Sequence, residues 1–600
     1  MKKPVLLTLI LAAFILSVSA QVAPPAAKPD DGAKNLVLVD KPAAPPDAFK
    51  TGFQTISSRD SLAMLTFIAS DLTEGRETGT RGFQVAAEYG ASLFGMWNLK
   101  PIGDMPARSF GMAQMLGLSQ TPARPVENTF YQEFPLVETV ETSSAMILEI
   151  RKGGSVRTHA FRPDVDFQGL AAVGDTLSGP VVFAGYGISE KDAGYDDFKN
   201  LDVAGKIVLL LAETPSFLSP EIRAKYPSVR APLDGASVAS GTRVDRLQEL
   251  RRRGAAAVLV VRTGGREADR WRGLLPAKSV NDERPIIKKT YHRVSLPGQI
   301  EETPWSRSAV VTISPSAADR ILEPAGLTLD EFKKKVEASR RPASRDIPGA
   351  SVALSSTLKV QAIRGINVVG VLEGSDPKLK DEAVVIGAHL DHEGRWEDYI
   401  YNGADDNGSG SVGVLNLARA FAANPQRPKR TLVFCLWCGE EEGLLGSKYF
   451  VANPPALLKA KIVSYLNFDM MSRPYDEKSL AFAGRMMGFP YGPEFNKKIK
   501  PANFVLLSFP AGSAFGEIVR AANQYVGLDV YLREAKQSGI GFGDSDHTSF
   551  DEAKIPWVWP FTAVTEDLHQ TSDSVDKVSG ELMEKVSRLM YVIGWLIADR

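Results

Sequence analysis

The chain has 600 residues, 44% of them hydrophobic and 24% charged, enough apolar material for more than one core and for roughly two to four domains. Its 70 Lys and Arg against 71 Asp and Glu leave a formal net charge of -1, so no overall field recruits nucleic acid or an acidic membrane surface. The only cysteines, Cys435 and Cys438, are too few for a four-thiolate zinc site; they close the apolar run 432–437 and read as buried packing residues.

Lys2 and Lys3 precede an apolar run over 5–16 and the small residues Val18-Ser19-Ala20, the pattern of a cleaved secretory signal over 1–20. The run is shorter than the ~20 residues that span a bilayer, so no stable membrane insertion is expected after cleavage. Export to a periplasm or the medium follows. Residues 21–48 are rich in Pro and Ala with few large apolar side chains, and read as a flexible linker. From 49 to 170 the patterning predicts helices over 61–72 and 83–97, the opening of a larger globular domain.

The texture changes between 171 and 345. Apolar runs bounded by glycines at 180–188 and 205–211, then at 255–261 and 309–313, predict short strands, with an amphipathic stretch over 244–253 and a charged helix after Thr328. That order resembles the protease-associated domain, a small β-rich module inserted in several peptidases. From 346 to 600 apolar runs alternate with helix-length segments, which predicts an α/β fold, a central sheet sandwiched by helices.

The chemistry gathers in this last part. The run 383–388 is followed at once by His389-Leu390-Asp391-His392; the run 431–437 leads into Gly439-Glu440-Glu441-Glu442; the run 462–468 ends in Asp469. Three predicted strands thus deliver metal-competent side chains at their carboxyl ends, where open α/β sheets place ligands. Asn402-Gly403-Ala404-Asp405-Asp406-Asn407 forms a tight acidic turn before a helix predicted over 412–423. His569 sits on a loop before the helical pattern that ends the chain. A lone His or Glu is usually a surface or core residue, but imidazoles and carboxylates gathered this way suit divalent zinc, and a two-ion site needs a bridging carboxylate.

These motifs resemble the co-catalytic di-zinc aminopeptidases of metallopeptidase family twenty-eight. The family includes secreted bacterial leucine aminopeptidases and, more distantly, glutamate carboxypeptidase and the transferrin receptor. Gly-Ala-His-Leu-Asp from 387, Gly-Ala-Asp-Asp-Asn from 403, Glu-Glu-Glu-Gly-Leu-Leu-Gly-Ser from 440, Asn-Phe-Asp-Met from 467 and His569 occur in the family's order. The resemblance implies a zinc exopeptidase fold with an inserted protease-associated domain, and two divalent ions, zinc expected, bridged by Asp406. It implies that His389 and Asp469 complete one ion's shell, Glu441 and His569 the other's. Glu440 matches the general base, and Asp391 the carboxylate that orients the His389 imidazole.

Three consecutive glutamates leave Glu441 and Glu442 as an alternative working pair, and Gly443-Leu444-Leu445-Gly446-Ser447 favours Glu440 and Glu441. His392 and His547 are left out of the metal shell, His547 as a hydrogen-bonded structural residue. Phe489, Tyr491, Phe504 and Phe509 line a side-chain pocket or pack in a core. The expected activity is aminopeptidase action on peptide substrates. Carboxypeptidase action, a glutaminyl cyclase with one zinc, and a non-catalytic binding protein on the same scaffold are the alternatives.

Overall fold

The structure, a computed structural model, describes residues 33–104, 129–163, 165–168, 176–226, 246–263, 292–297, 309–396, 398–535 and 545–600. The signal expected over 1–20 and the first part of the 21–48 linker lie outside them. Among the described residues no helix is long and apolar enough to cross a membrane.

The main sheet is built around Glu382–His389, whose Val384, Val385 and Ile386 are buried, as a strand flanked by parallel neighbours and covered on both faces requires. Thr431–Trp437 runs parallel on one side with Trp437 level with His389; Lys461–Asn467 runs parallel on the other with Asn467 level with Gly387. All three lie within a residue of the predicted runs. From the central strand the chain passes through the helix Gly410–Ala423 to Thr431–Trp437, then through Leu445–Ala452 to the opposite flank. This change of direction opens a crevice beyond the carboxyl ends of the strands.

Beyond Lys461–Asn467 the sheet continues with Trp557–Phe561, Phe504–Pro510 and Asp529–Ala535. At its other side Thr431–Trp437 pairs antiparallel with the end of Arg345–Leu372, so the sheet is mixed and belongs to the expected α/β class. Asp47–Thr55, Ser58–Ile68, Gly410–Ala423 and the 19-residue Gly580–Ala598 pack together against it. The last helix buries Leu582, Val586, Leu589, Met590 and Ile593, each worth about 1.5–3 kcal/mol relative to exposure.

The flexible-linker expectation for 21–48 fails at its carboxyl end. Leu36–Val37 adds an antiparallel edge pair to Asp529–Ala535, Val37 is buried, and the Ala43 N–H donates to the Gln524 carbonyl. An open sheet edge offers unpaired backbone groups that even a short strand satisfies.

A second hydrophobic core lies in the inserted stretch. Leu177–Phe183, Ile207–Leu211, Ala257–Val261 and Ala309–Ile313 run side by side and parallel, and Phe183, Leu209, Leu259, Ile321 and Phe332 pack together there. The helix expected after Thr328 is Leu329–Ser339, started by a reciprocal pair in which Thr328 accepts from the Glu331 N–H and Glu331 from the Thr328 N–H.

The boundary expected at 170 falls inside this unit. Tyr131–Lys152 and Arg345–Leu372 form one antiparallel ribbon, paired from Tyr131 with Val368 to Ile150 with Ala350. One end joins the main sheet; the other, with Met146, Leu148, Val352 and Leu354, is buried in the second core. Ser155–Phe161 folds back on the ribbon, and Met146, Leu148, Ile150, Phe161 and Phe167 pack in the core of the inserted strands. A continuous strand looks alike on both sides of such a division.

Candidate metal centre

His389, the last residue of its strand, is 1% exposed. Its Nε2 lies 3.5 Å from Asp406 Oδ1, 3.6 Å from Asp469 Oδ1 and 3.9 Å from Glu440 Oε2. The other Asp406 oxygen, Oδ2, is 3.0 Å from His569 Nε2, and Glu441 Oε2 is 3.2 Å from the same nitrogen. Asp406 therefore stands between two imidazoles, each with a further carboxylate beside it. His389, Asp406 and Asp469 present donor atoms within 4.8 Å of one another.

The turn that carries Asp406 closes through Gly403 at φ 53°. A Cβ there would meet the Asp406 carbonyl oxygen at 2.2 Å and the His392 ring at 2.5 Å, so a side chain is excluded twice over. Asp573, four residues past His569, accepts the N–H groups of Asp405 and Asp406 at 3.0 to 3.1 Å and ties together the two loops that carry Asp406 and His569. Oδ1 of Asp405 accepts from Ser472 and Ser409 while its Oδ2 is buried without a partner, and it is Asp406 that faces the imidazoles.

Asp391 corrects one expectation. The His389 Nδ1 partner is the Asp391 backbone carbonyl at 3.1 Å, while the carboxylate Oδ1 is 3.9 Å away, beyond a hydrogen bond. The carboxylate instead accepts the backbone N–H groups of Glu440 at 3.1 Å and Glu441 at 3.2 Å, and the Thr78 hydroxyl at 3.3 Å. Two convergent amides hold a carboxylate more firmly than one imidazole edge, so Asp391 shapes the glutamate loop. The third glutamate faces elsewhere: Glu442 Oε2 accepts the Val294 N–H at 3.2 Å, from the strand His292–Ser295 of the inserted stretch.

Arg76 has no exposed surface and lies beneath both loops. Its Nε donates to the Leu390 carbonyl at 2.7 Å, Nη1 to Ile68 at 2.8 Å and Asn402 at 2.7 Å, and Nη2 to Gly403 at 2.9 Å. Burial lowers its pKa to about 10, against the raising pull of Asp391 and Asp406, so it stays charged at neutral pH.

The centre is short of positive charge. Burial would lower the His389 pKa, but Glu440 and Asp469 outweigh it and hold the imidazole well above its usual value. Burial pushes Glu440 well above the usual carboxylate range against the pull of His389, and it raises Asp469 as well. Asp469 Oδ1 is buried with no hydrogen-bond partner. Carboxylates crowded on imidazoles, with an orphaned oxygen among them, fit a divalent cation of zinc character.

Of the residues singled out from sequence, His389, Asp406, Glu440, Glu441, Asp469 and His569 come together, with Asp391 directly behind the glutamates. His547 lies apart, its ring 4.3 Å from Trp557 and 4.8 Å from Trp559, and burial lowers its pKa to about 3. The expected hydrogen bond is missing at Nδ1, which is buried without a partner. Cys435 and Cys438 are buried free thiols. Phe489 and Phe504 belong to a core with Phe495 and Tyr531, Phe509 to the main core, and Tyr491 is partly exposed. His392, set aside from sequence, is in the cluster: its Nδ1 is 2.8 Å from Glu441 Oε1 and 3.9 Å from Asp406 Oδ2. Its position three residues past His389 is the one signal that pointed to it. Glu393 Oε1 lies 3.4 Å from His569 Nδ1.

Residues 367–593 match the family model described as Peptidase family M28. Leupeptin-inactivating enzyme 1 of Streptomyces exfoliatus is 40% identical over 213 residues, 35% of this chain and 39% of that enzyme. A probable glutamate carboxypeptidase of Arthroderma benhamiae is 37% identical over 131 residues, 21% of this chain and 17% of that protein. The chain thus matches about two-fifths or less of the length of these relatives. The solved aminopeptidase from Aneurinibacillus sp. strain AM-1 shares the fold, with a TM-score of 0.53 at 15% identity over 92% of this chain and 96% of the other.

Proposed function

Residues 367–593 match the model of Peptidase family M28, and we propose that the protein belongs to that family as an exported metal-dependent exopeptidase, an aminopeptidase that removes N-terminal residues from peptides. The placement of Asp406 between His389 and His569 carries this reading. His389, Asp406 and Asp469 would hold one divalent ion; Asp406, Glu441 and His569 would hold a second, zinc in both cases.

When bound, such ions polarise the scissile carbonyl and make a water acidic enough to lose its proton near neutral pH. Glu440 takes that proton and returns it to the leaving amine. Burial raises its pKa above the usual carboxylate range, which makes it a stronger base. Asp391 holds the Glu440 and Glu441 amides and so aims both carboxylates. The inserted unit limits access to peptide ends, a role supported by the bond from Val294 to Glu442. Export rests on the amino-terminal pattern over 1–20.

Mass spectrometry of a mixed peptide pool, with N-acetylated and C-amidated members, tests the reading on the mature chain. Stepwise N-terminal trimming is expected, abolished by acetylation and by a chelator and restored by zinc. Trimming from the carboxyl end would move the activity to a carboxypeptidase. Intact peptides in zinc-replete buffer would overturn the peptidase reading in favour of a cyclase or a binding protein.

A further inference from the structure

His392 is 2% exposed and touches the cluster, yet the two-ion reading gives it no task. Its ring cannot turn freely. It lies against Gly403, where a Cβ would meet ring atoms at 2.5 and 2.6 Å, and it stands edge-on to His569 with centroids 5.6 Å apart at 77°. The His392 backbone N–H is donated to the Arg76 carbonyl at 3.3 Å. The ring is thus presented to Glu441 in one orientation.

The hydrogen bonds choose its tautomer. Nδ1 is 2.8 Å from Glu441 Oε1, whereas Nε2 is buried with no partner. A proton on Nε2 would leave a buried donor unsatisfied and set the Nδ1 lone pair against a carboxylate oxygen. A proton on Nδ1 makes the bond and leaves only an acceptor unmatched. The donor atoms of His392, Asp406 and Glu441 also lie within 4.8 Å of one another, and coordination of a cation through Nδ1 would demand the other tautomer, with a buried Nε2–H that has no acceptor.

We propose that His392 is a positioning residue: its Nδ1–H occupies Glu441 Oε1 and leaves only Oε2 to face the cation site shared with Asp406 and His569. The inference rests on the metal reading above and deepens it by making the two halves of the site unequal. His389 is fixed by a strand end and 1% exposed, while the His569 side chain is 45% exposed on a loop. The half beside His569 therefore depends on a correctly turned Glu441. A partner behind a ligating carboxylate typically accounts for about 10–100-fold in metal affinity.

The test is zinc titration of the full mature chain, stripped and then refilled in competition with a chromophoric chelator, for wild type, His392→Ala, His392→Asn and His392→Gln. The Asn amide can place a donor where ring Nδ1 stands; that of Gln lies nearer ring Nε2. Wild type is expected to bind two equivalents. His392→Ala should keep one at wild-type affinity and bind the other about 10–100-fold more weakly. His392→Asn should recover most of the loss and His392→Gln little of it. Unchanged binding by His392→Ala overturns the proposal. So does His392→Asn as weak as His392→Ala with normal circular dichroism, because the ring would then be a ligand itself. A wild-type chain that takes up no zinc would overturn the metal reading, and this inference with it, before any variant is compared.

Discussion

Replacing Glu440 with Gln is expected to lower kcat/KM by about 10²–10⁴-fold, the range for loss of a general base, while zinc content stays at the wild-type level. The neighbouring glutamates supply the controls. Glu441→Gln should weaken zinc binding, because Glu441 Oε2 stands 3.2 Å from His569 Nε2 with Asp406 beside it. Glu442→Gln should do neither, since its carboxylate bonds to Val294 in the inserted stretch. Peptidase assays and metal analysis on the three variants separate the roles. If Glu442→Gln lost activity as far as Glu440→Gln, the working pair would be shifted by one residue and the assignment here would fail.

Replacing Arg76 with Met is expected to cost about 3–5 kcal/mol of stability, the range for removing one partner from a buried, charge-bearing network. Four backbone carbonyls lose a donor at once, two from the turn leading to Asp406, one beside His389 and one at Ile68. The Ile68 and Gly403 carbonyls keep the Thr73 hydroxyl and the Gly408 N–H, so the cost falls chiefly on Leu390 and Asn402, at about 1–3 kcal/mol for each buried acceptor left unpaired, partly offset as the loops relax. Arg76→Lys should recover only part of the loss, because an ammonium has three donors and no planar fork. Urea unfolding with zinc analysis measures both consequences. Wild-type stability in Arg76→Met would mean that the loops hold their shape without the guanidinium.

The clustering of these side chains was legible because each strand run is a short apolar block ending in chemically distinctive side chains, and the register of the sheet then brings His389, Trp437 and Asn467 to one level. Arg76 was not. Its partners are backbone carbonyls up to 327 residues away, and a carbonyl leaves no mark on the identity of the residue that bears it. Asp391 was half legible: its place behind His389 is as expected, but the choice between an imidazole and two amides depends on a loop 49 and 50 residues further on. His392 was discounted for the opposite reason. A third imidazole near the expected ligands looks redundant until its Nδ1 is seen on Glu441.

The ribbon formed by Tyr131–Lys152 and Arg345–Leu372 determines where the molecule could be cut. Excision at 171 and 345 would leave Met146, Leu148 and Ile150 attached to the peptidase half, stripped of the core that covers them and prone to aggregate. The register shifts between Thr357 and Leu358, opposite Ser143 and Glu141, and there the ribbon passes from one unit to the other. A shortened chain joined from Glu141 to Leu358 through a two-residue Asn-Gly turn would keep the pairing of 131–141 with 358–368 and leave no apolar overhang. It would also lose His292–Ser295, and with that strand the bond from Val294 to Glu442 and the cover that Val294 gives the main core.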